Sequence, residues 1–280
     1  MNGLQELIEK TAAKAEQPYS PGDYRKDGLL HCGKCRTPKQ TVVELFGKRK
    51  TVGCMCRCMT QKRESETARR KEQEQLERIH RLRVNGIADR SVRNCTFASA
   101  DGSNREILSR CRRYADRWPE MLADNIGLLF WGNTGNGKTH AAACIANALI
   151  DRGVPVLMTN FPKILGALTG LYAEERISYL ESLSEFPLLV IDDLGAERQS
   201  EFALEQVYAV IDSRYKSKLP LIITTNLSVG EMKNPKNMDY QRIYDRVLEM
   251  CVPLHFKGES LRRAAAADKL QRAKELFGGE

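Results

Sequence analysis

Gly127-Leu128-Leu129-Phe130-Trp131-Gly132-Asn133-Thr134-Gly135-Asn136-Gly137-Lys138-Thr139 joins an apolar run to a glycine-rich bend ending in a lysine, and an alanine-rich helical stretch follows. Residues 132–139 satisfy GxxxxGK[ST] in full, with a strand before and a helix after, the context in which such a bend holds phosphate. The glycines let successive backbone N–H groups face an anion, Lys138 is placed to neutralise β and γ oxygens, and Thr139 offers a hydroxyl to Mg²⁺ at a helix N-terminus. Gly132, Asn133, Thr134, Gly135, Asn136, Gly137, Lys138 and Thr139 are therefore the expected cradle of a nucleoside triphosphate such as ATP. The bland alternative is a chance glycine turn between strand and helix.

Outward from this stretch, short apolar runs recur at 154–159, 187–192, 220–225 and 251–255 without two-residue alternation, as strands buried on both faces should read. Helical patterns fill 138–151, 162–172, 177–183, 201–216 and 240–249, and 260–277 closes the chain. That alternation predicts an α/β domain with a parallel, doubly wound sheet and the nucleotide at the carboxyl ends of its strands.

Leu188-Leu189-Val190-Ile191-Asp192-Asp193 ends a buried strand in two acids and reads as a Walker B strand. Asp192 is expected to hold Mg²⁺ with Thr139, and Asp193 to orient or deprotonate the attacking water, although it is one methylene shorter than a glutamate in that role. The strand Leu221-Ile222-Ile223-Thr224-Thr225-Asn226 ends in an amide that can hold the same water; taken alone, Asn226 reads as a turn residue. Arg242 and Arg246 stand four apart beside an Ile243/Val247 stripe, so that both guanidinium groups are expected to leave the domain together and either to act on a neighbouring subunit's γ-phosphate. Local pairing with Asp245 or Glu249 is the alternative. In Gly258-Glu259-Ser260-Leu261-Arg262-Arg263, arginines open a helix, where the dipole disfavours cations, and the nucleotide is the anion expected to compensate.

Five of the nine cysteines fall within residues 32–58, as Cys32-x-x-Cys35 and Cys54-x-Cys56-x-Cys58. Five thiols offer themselves for four tetrahedral positions, and Zn²⁺ is the fitting metal. Cys32, Cys35, Cys56 and Cys58 form the favoured set and Cys54 the alternative ligand, since in an extended chain all of 54, 56 and 58 share one face. Metal binding would let so short a module fold with almost no core. Its middle reads as a hairpin around a basic turn (41–46 and 47–52), and Lys34, Arg36, Lys39, Lys48, Arg49 and Lys50 could meet the phosphates of single-stranded DNA. With few aromatic platforms there, protein docking ranks above base stacking.

Together, the Walker A and Asp-Asp Walker B motifs, the Thr-Thr-Asn strand, Asp245-Arg246 and Gly258-x-Ser260-x-Arg262 resemble the AAA+ ATPases of the DnaC/DnaI type, the replicative-helicase loaders of bacteria and their phage and prophage relatives. The resemblance covers about residues 90–270, with Cys95-Thr96-Phe97 near its start. It implies Asn226 as sensor 1, Arg246 as the arginine finger and Arg262 as sensor 2. It also implies self-assembly through the ATPase domain, weak or partner-stimulated hydrolysis, and the loading of a hexameric replicative DNA helicase onto single-stranded DNA. The zinc module ahead of the ATPase domain is similar to the DnaI-type loaders, where that region contacts the helicase. IstB-like transposition helper ATPases are relatives too, and a nucleotide-switched adaptor with little hydrolysis is a further alternative.

The resulting order is an N-terminal helix and loop (1–27), a zinc-binding module (28–59), a charged linker helix (60–86) and the AAA+ domain (87–280). Glu66/Arg70, Glu74/Arg78 and Glu77/Arg81 support the linker helix, whose sizeable apolar residues are Leu76, Ile79 and Leu82. With 44 Lys+Arg against 36 Asp+Glu the net charge is +8, which suits a polyanionic partner. The absence of a long apolar run or a signal-peptide core, with clustered rather than paired cysteines, predicts a soluble cytoplasmic protein in a reducing compartment with no membrane partner.

Overall fold

A computed structural model describes residues 19–45, 47–99, 104–196, 200–235, 237–258 and 260–277. The expected helix near the N-terminus lies outside these residues. The chain divides into two compact units at Leu76/Glu77.

The first unit is two antiparallel hairpins and the start of a long helix. Strands β1 (Tyr24–Lys26) and β2 (Leu29–His31) are joined by Asp27-Gly28, both at positive φ, the two-residue turn whose twist matches paired strands. The second hairpin, β3 (Gln40–Leu45) and β4 (Lys48–Gly53), is the one expected over 41–52, except that Lys48, Arg49 and Lys50 lie on β4, paired with β3, and not in the turn. Helix α1 (Arg57–Gly86) begins three residues before the expected linker, directly after Cys56. Among the described residues its ion pairs join Lys62 to Glu66, Arg70 to Glu74 and, near its end, Arg83 to Asp151, so Glu66 and Glu74 each meet the cation on the N-terminal side and not the expected partner four residues on. The helix ends at Gly86, where an added Cβ would lie 2.0 Å from the Val156 carbonyl oxygen. Leu76 is 61% exposed, whereas Ile79 and Leu82 pack on the core of the second unit.

The second unit is a five-stranded parallel sheet between two helical layers. After α2 (Arg105–Asp116) and α3 (Trp118–Ala123) come β5 (Gly127–Trp131), α4 (Lys138–Asp151), β6 (Val156–Asn160), α5 (Phe161–Leu168) and α6 (Ala173–Leu183). The chain continues through β7 (Leu188–Leu194), α7 (Glu201–Ser217), β8 (Leu221–Thr225), α8 (Val229–Lys233), α9 (Gln241–Met250), β9 (Cys251–His255) and α10 (Leu261–Phe277). Strand order is β6-β7-β8-β5-β9, all parallel. Alternate residues of each strand enter opposite cores. Phe130, Val190 and Ile222 join Tyr114, Trp118 and the alanines of α4 on one face, while Leu129, Ile191 and Ile223 join Phe161, Val207 and Val247 on the other. The small side chains Ala141, Ala142, Ala143 and Ala146 let α4 lie close to the sheet. Helices α2 and α3 fill the unassigned stretch before β5, and the helix expected over 162–172 ends four residues early, at Leu168.

Arg214 on α7 is 1% exposed and pairs with no carboxylate among the described residues. Its guanidinium donates to the carbonyls of Leu183, Phe186, Pro187 and Pro220, the last three at 2.8–2.9 Å, tying the end of α6 to the entrances of β7 and β8. Burial pulls its pKa down to about 10. Arg214→Ala should lower the stability of this unit by about 3 kcal/mol, because four carbonyls lose a charged donor in the interior. Lysine should rescue only partly, since it lacks the planar fork. Urea unfolding followed by the fluorescence of Trp118 and Trp131 checks both.

Candidate functional site

The glycine bend lies at the carboxyl end of β5, where the chain turns into α4. Lys138, the first residue of that helix, is 5% exposed. Its ammonium donates to the carbonyls of Gly132 and Asn133 at 2.8 Å and to Asn226 Oδ1 at 2.9 Å. No carboxylate touches it among the described residues, and burial depresses its pKa, with Asp193 and Asp192 acting in the opposite direction from a distance. Gly135 has φ +85° and faces Ser260 so closely that a Cβ there would meet its Oγ at 2.1 Å, and Leu261 N donates to Gly135 O at 2.9 Å. This contact seats the start of α10 on the bend and brings Arg262 to the cleft.

The two acids stand on a break in the sheet. Ile191 pairs with Ile223, but the next pair is Leu194 with Thr225, so Asp192 and Asp193 together oppose Thr224. Bulges of this kind re-aim side chains beside functional sites. Asp193 takes φ +57°, and its N–H donates to Thr224 Oγ1 at 2.9 Å. The same hydroxyl donates to Asp192 Oδ1 at 2.7 Å, and Thr139 Oγ1 donates to that oxygen at 2.8 Å. Burial raises the pKa of Asp192, and the two hydroxyls work against the rise. A divalent cation beside Thr139 and Asp192 would serve the same end, so these groups suit Mg²⁺. Lys138, Thr139, Asp193 and Asn226 line a cleft of about 300 Å³ with Val92, Thr134, Gly135, Gly137, His140, Leu261 and Arg262, while Asp192 lines an adjoining recess that shares Thr139 and Val92. A buried cation held by neutral oxygens, beside open backbone, is a receptor for an anion.

The description "IstB-like ATP binding protein" matches residues 54–268, most of the chain. The chain belongs to this ATP-binding family. It is 29% identical over 187 residues to the replicative helicase loader DnaC of Buchnera aphidicola (Schizaphis graminum), covering 63% of this chain and 72% of that protein. Against the replicative helicase loader DnaC of Escherichia coli K12 it is 31% identical over 163 residues, covering 55% of this chain and 63% of the relative's length. The crystal structure of the DnaC helicase loader superposes with a TM-score of 0.53 at 25% identity, covering 60% of this chain and all of that one. The sheet and its helical layers are thus those of the P-loop ATPases of the IstB-like family, as the Walker motifs lead one to expect. Among the described residues no helix is long and apolar enough to cross a membrane.

Outside the cleft, Arg246 does not leave the domain beside Arg242. Arg242 is exposed, but Arg246 turns back onto α7, with Nη2 2.7 Å from Asp212 Oδ1 and the guanidinium carbon 4.6 Å above the Tyr208 ring. Asp212, thirty-four residues earlier in the sequence, therefore replaces Asp245 and Glu249 as the local partner; Glu249 instead accepts from Tyr215.

In the first unit, the Sγ atoms of Cys32, Cys35, Cys56 and Cys58 all lie within 4.8 Å of one another, a group that could hold a metal ion. Cys54 stands aside, its thiol directed at the Pro38 carbonyl. Residues 54–58 are not one extended run, because α1 starts at Arg57 and carries Cys58 on its first turn. The thiols impose conflicting demands on one another. Backbone N–H groups of Cys35 and Lys34 lower the pKa of Cys32, and the Thr37 hydroxyl and backbone donors bring Cys35 to about 5, while the Cys56 and Cys32 sulfurs push Cys58 up to about 12. A bound divalent cation would let all four be thiolates.

Asp23, just ahead of this module, escaped sequence reasoning. Asp23 accepts from the N–H groups of Ser20 and Gly33 and from Lys39 Nζ at 2.6 Å, and thereby braces the Cys32–Cys35 bend. Lys39 is 3% exposed, so it is no phosphate-facing cation as the sequence suggested. Gly33 marks the same packing, since a Cβ there would lie 2.1 Å from Gly22 O. Cys54→Ser should leave the stoichiometry of a Co²⁺ or Zn²⁺ titration unchanged, whereas Cys58→Ser should abolish the tetrathiolate absorption band of the cobalt form. Asp23→Asn should keep the band and weaken affinity about tenfold, as loss of outer-shell support does.

Proposed function

We propose that this protein is an ATP-dependent loader that delivers a hexameric replicative DNA helicase to single-stranded DNA during replication. The observation that carries the reading is the phosphate cleft built from Lys138, the Asp192–Asp193 bulge and Asn226, in a unit that aligns with two proteins named as replicative helicase loaders. In this reading Lys138 binds the β and γ oxygens of ATP, and Thr139 and Asp192 hold Mg²⁺. Asp193 and Asn226 orient the lytic water. Arg262 meets the γ-phosphate from the same subunit, and Arg246 meets that of a neighbour. The other bend residues, Gly132 to Gly137, supply backbone donors. Zn²⁺ at Cys32, Cys35, Cys56 and Cys58 fixes a module (28–59) that docks on the helicase, joined by the charged helix (60–86) to the ATPase domain (87–280). The exposed hairpin cations Lys48, Arg49 and Lys50 provide a second contact, with DNA phosphates.

A second reading, a transposition helper, draws on the family's IstB-like description. Affinity capture from the native host, with ATP and without, separates the two: a hexameric helicase supports the loader, and a transposase in its place overturns it.

Asn226→Ala should hold ATP affinity within about threefold but lower turnover by about 10²-fold, the usual cost of losing one oriented polar group at the reacting centre. Arg246→Ala should leave nucleotide affinity intact and reduce partner-stimulated turnover by about 10³-fold. Equal loss of binding in both variants would contradict the assigned roles. Fluorescent-nucleotide titration and phosphate release provide the two readouts.

A further inference from the structure

The side chain of Arg246 is 24% exposed and that of Asp212 is 15% exposed, although both sit on helices at the surface of the sheet's second layer. Arg246 Nη2 stands 2.7 Å from Asp212 Oδ1 without the alignment of a hydrogen bond, and Nη1 is buried with no aligned hydrogen-bond partner among the described residues. The guanidinium lies 4.6 Å from the Tyr208 ring centroid and 5.5 Å from that of Tyr215. Asp212 also holds Lys216, through Oδ2 at 2.8 Å, and Tyr215 is itself anchored by donating to Glu249 at 2.9 Å. Three residues of α7 thus form a recess for one arginine of α9. The fit is incomplete: the carboxylate is shared with Lys216, the rings cover the plane, and Nη1 is withdrawn from solvent without an aligned hydrogen bond.

We propose that Asp212, with Tyr208 and Tyr215, is a positioning device that keeps Arg246 docked on its own subunit, so that the arginine acts on a neighbour's nucleotide only after leaving this recess. The proposal rests on the reading of Arg246 as a residue that acts in trans. A guanidinium neutralised by a carboxylate and covered by two rings has little charge to offer a γ-phosphate elsewhere. Nη1, without an aligned hydrogen bond, makes departure easier, since the docked state never satisfied it. Bound triphosphate on the adjoining subunit competes with Asp212 for the same fork, and ATP occupancy next door is thereby coupled to release of the arginine.

Phosphate release by the full chain, measured against protein concentration with saturating Mg·ATP, tests this. Asp212→Asn keeps the size of the side chain and removes the charge. It should reach half-maximal turnover at about five- to tenfold lower protein concentration, with KM for ATP unchanged. Tyr208→Leu, which removes the ring under the guanidinium, should shift the curve in the same direction and carries the test if the asparagine variant does not fold. In an Arg246→Ala background, neither change should move the curve, because their effect passes through the arginine. A curve unchanged by both variants overturns the proposal. A reduced maximum with the asparagine variant does so as well, since Asp212 would then aim the arginine toward its target. The underlying reading fails separately, whatever Asp212 does, if Arg246→Ala hydrolyses ATP like the parent or if turnover per subunit does not depend on concentration.

Discussion

The structure turns on a buried ammonium group at the lining of a cleft, one that no carboxylate touches among the described residues. Lys138 is held by two carbonyls of the bend that precedes it and by Asn226, the residue just past β8 and eighty-eight positions on. Neutral oxygens keep the side chain in place without cancelling its charge, and the desolvation recorded in its lowered pKa is relieved when an anion arrives. The lysine therefore serves as both a binding group and a joint between β5 and β8. The parallel sheet makes this possible by bringing the carboxyl ends of β5, β7 and β8 to one side, so that a bend, a bulge and an amide share one cleft.

The bulge solves a geometric problem. Acids at successive positions of a regular strand point to opposite faces, and one of the pair would enter the core. Two residues opposed to Thr224 escape that alternation, and the hydroxyl of Thr224 secures both by donating to Asp192 and accepting from the N–H of Asp193. Asp193 occupies the left-handed region, conformational strain of the kind that collects at functional sites. The cysteine module uses a related economy of parts: Asp23, buried with Lys39, braces the bend on which Cys32 and Cys35 stand.

Features written as local patterns were legible in the sequence, and features made by distant contacts were not. Helix α4 spans Lys138–Asp151 as read, because glycines precede it and a turn at Arg152-Gly153 follows its unbroken apolar face. Strands β5 and β9 match their apolar runs residue for residue. By contrast α2 carries four arginines and reads as a solvated charge run, and its burial of Cys111, Tyr114 and Ala115 becomes visible only once α4 lies beneath it. The β1–β2 hairpin was missed because its strands are three residues each, below the length at which alternation declares itself. Asn226 on Lys138 and Asp212 on Arg246 are meetings of residues far apart in the chain. The Thr-Thr-Asn ending of β8 hinted at the first. The second left no trace, since Asp212 reads as one more acid on a mixed helix.

Calorimetric titration of ATP with Mg²⁺ into the intact protein, and into Lys138→Met, addresses the buried charge directly. Micromolar or tighter binding by the parent, with a loss of at least about 100-fold in the variant, is what an unneutralised interior ammonium at this cleft predicts, since one charged contact accounts for about 3 kcal/mol. Equal affinity in the two proteins, or no heat of binding in either with magnesium in excess, would contradict the central role of Lys138.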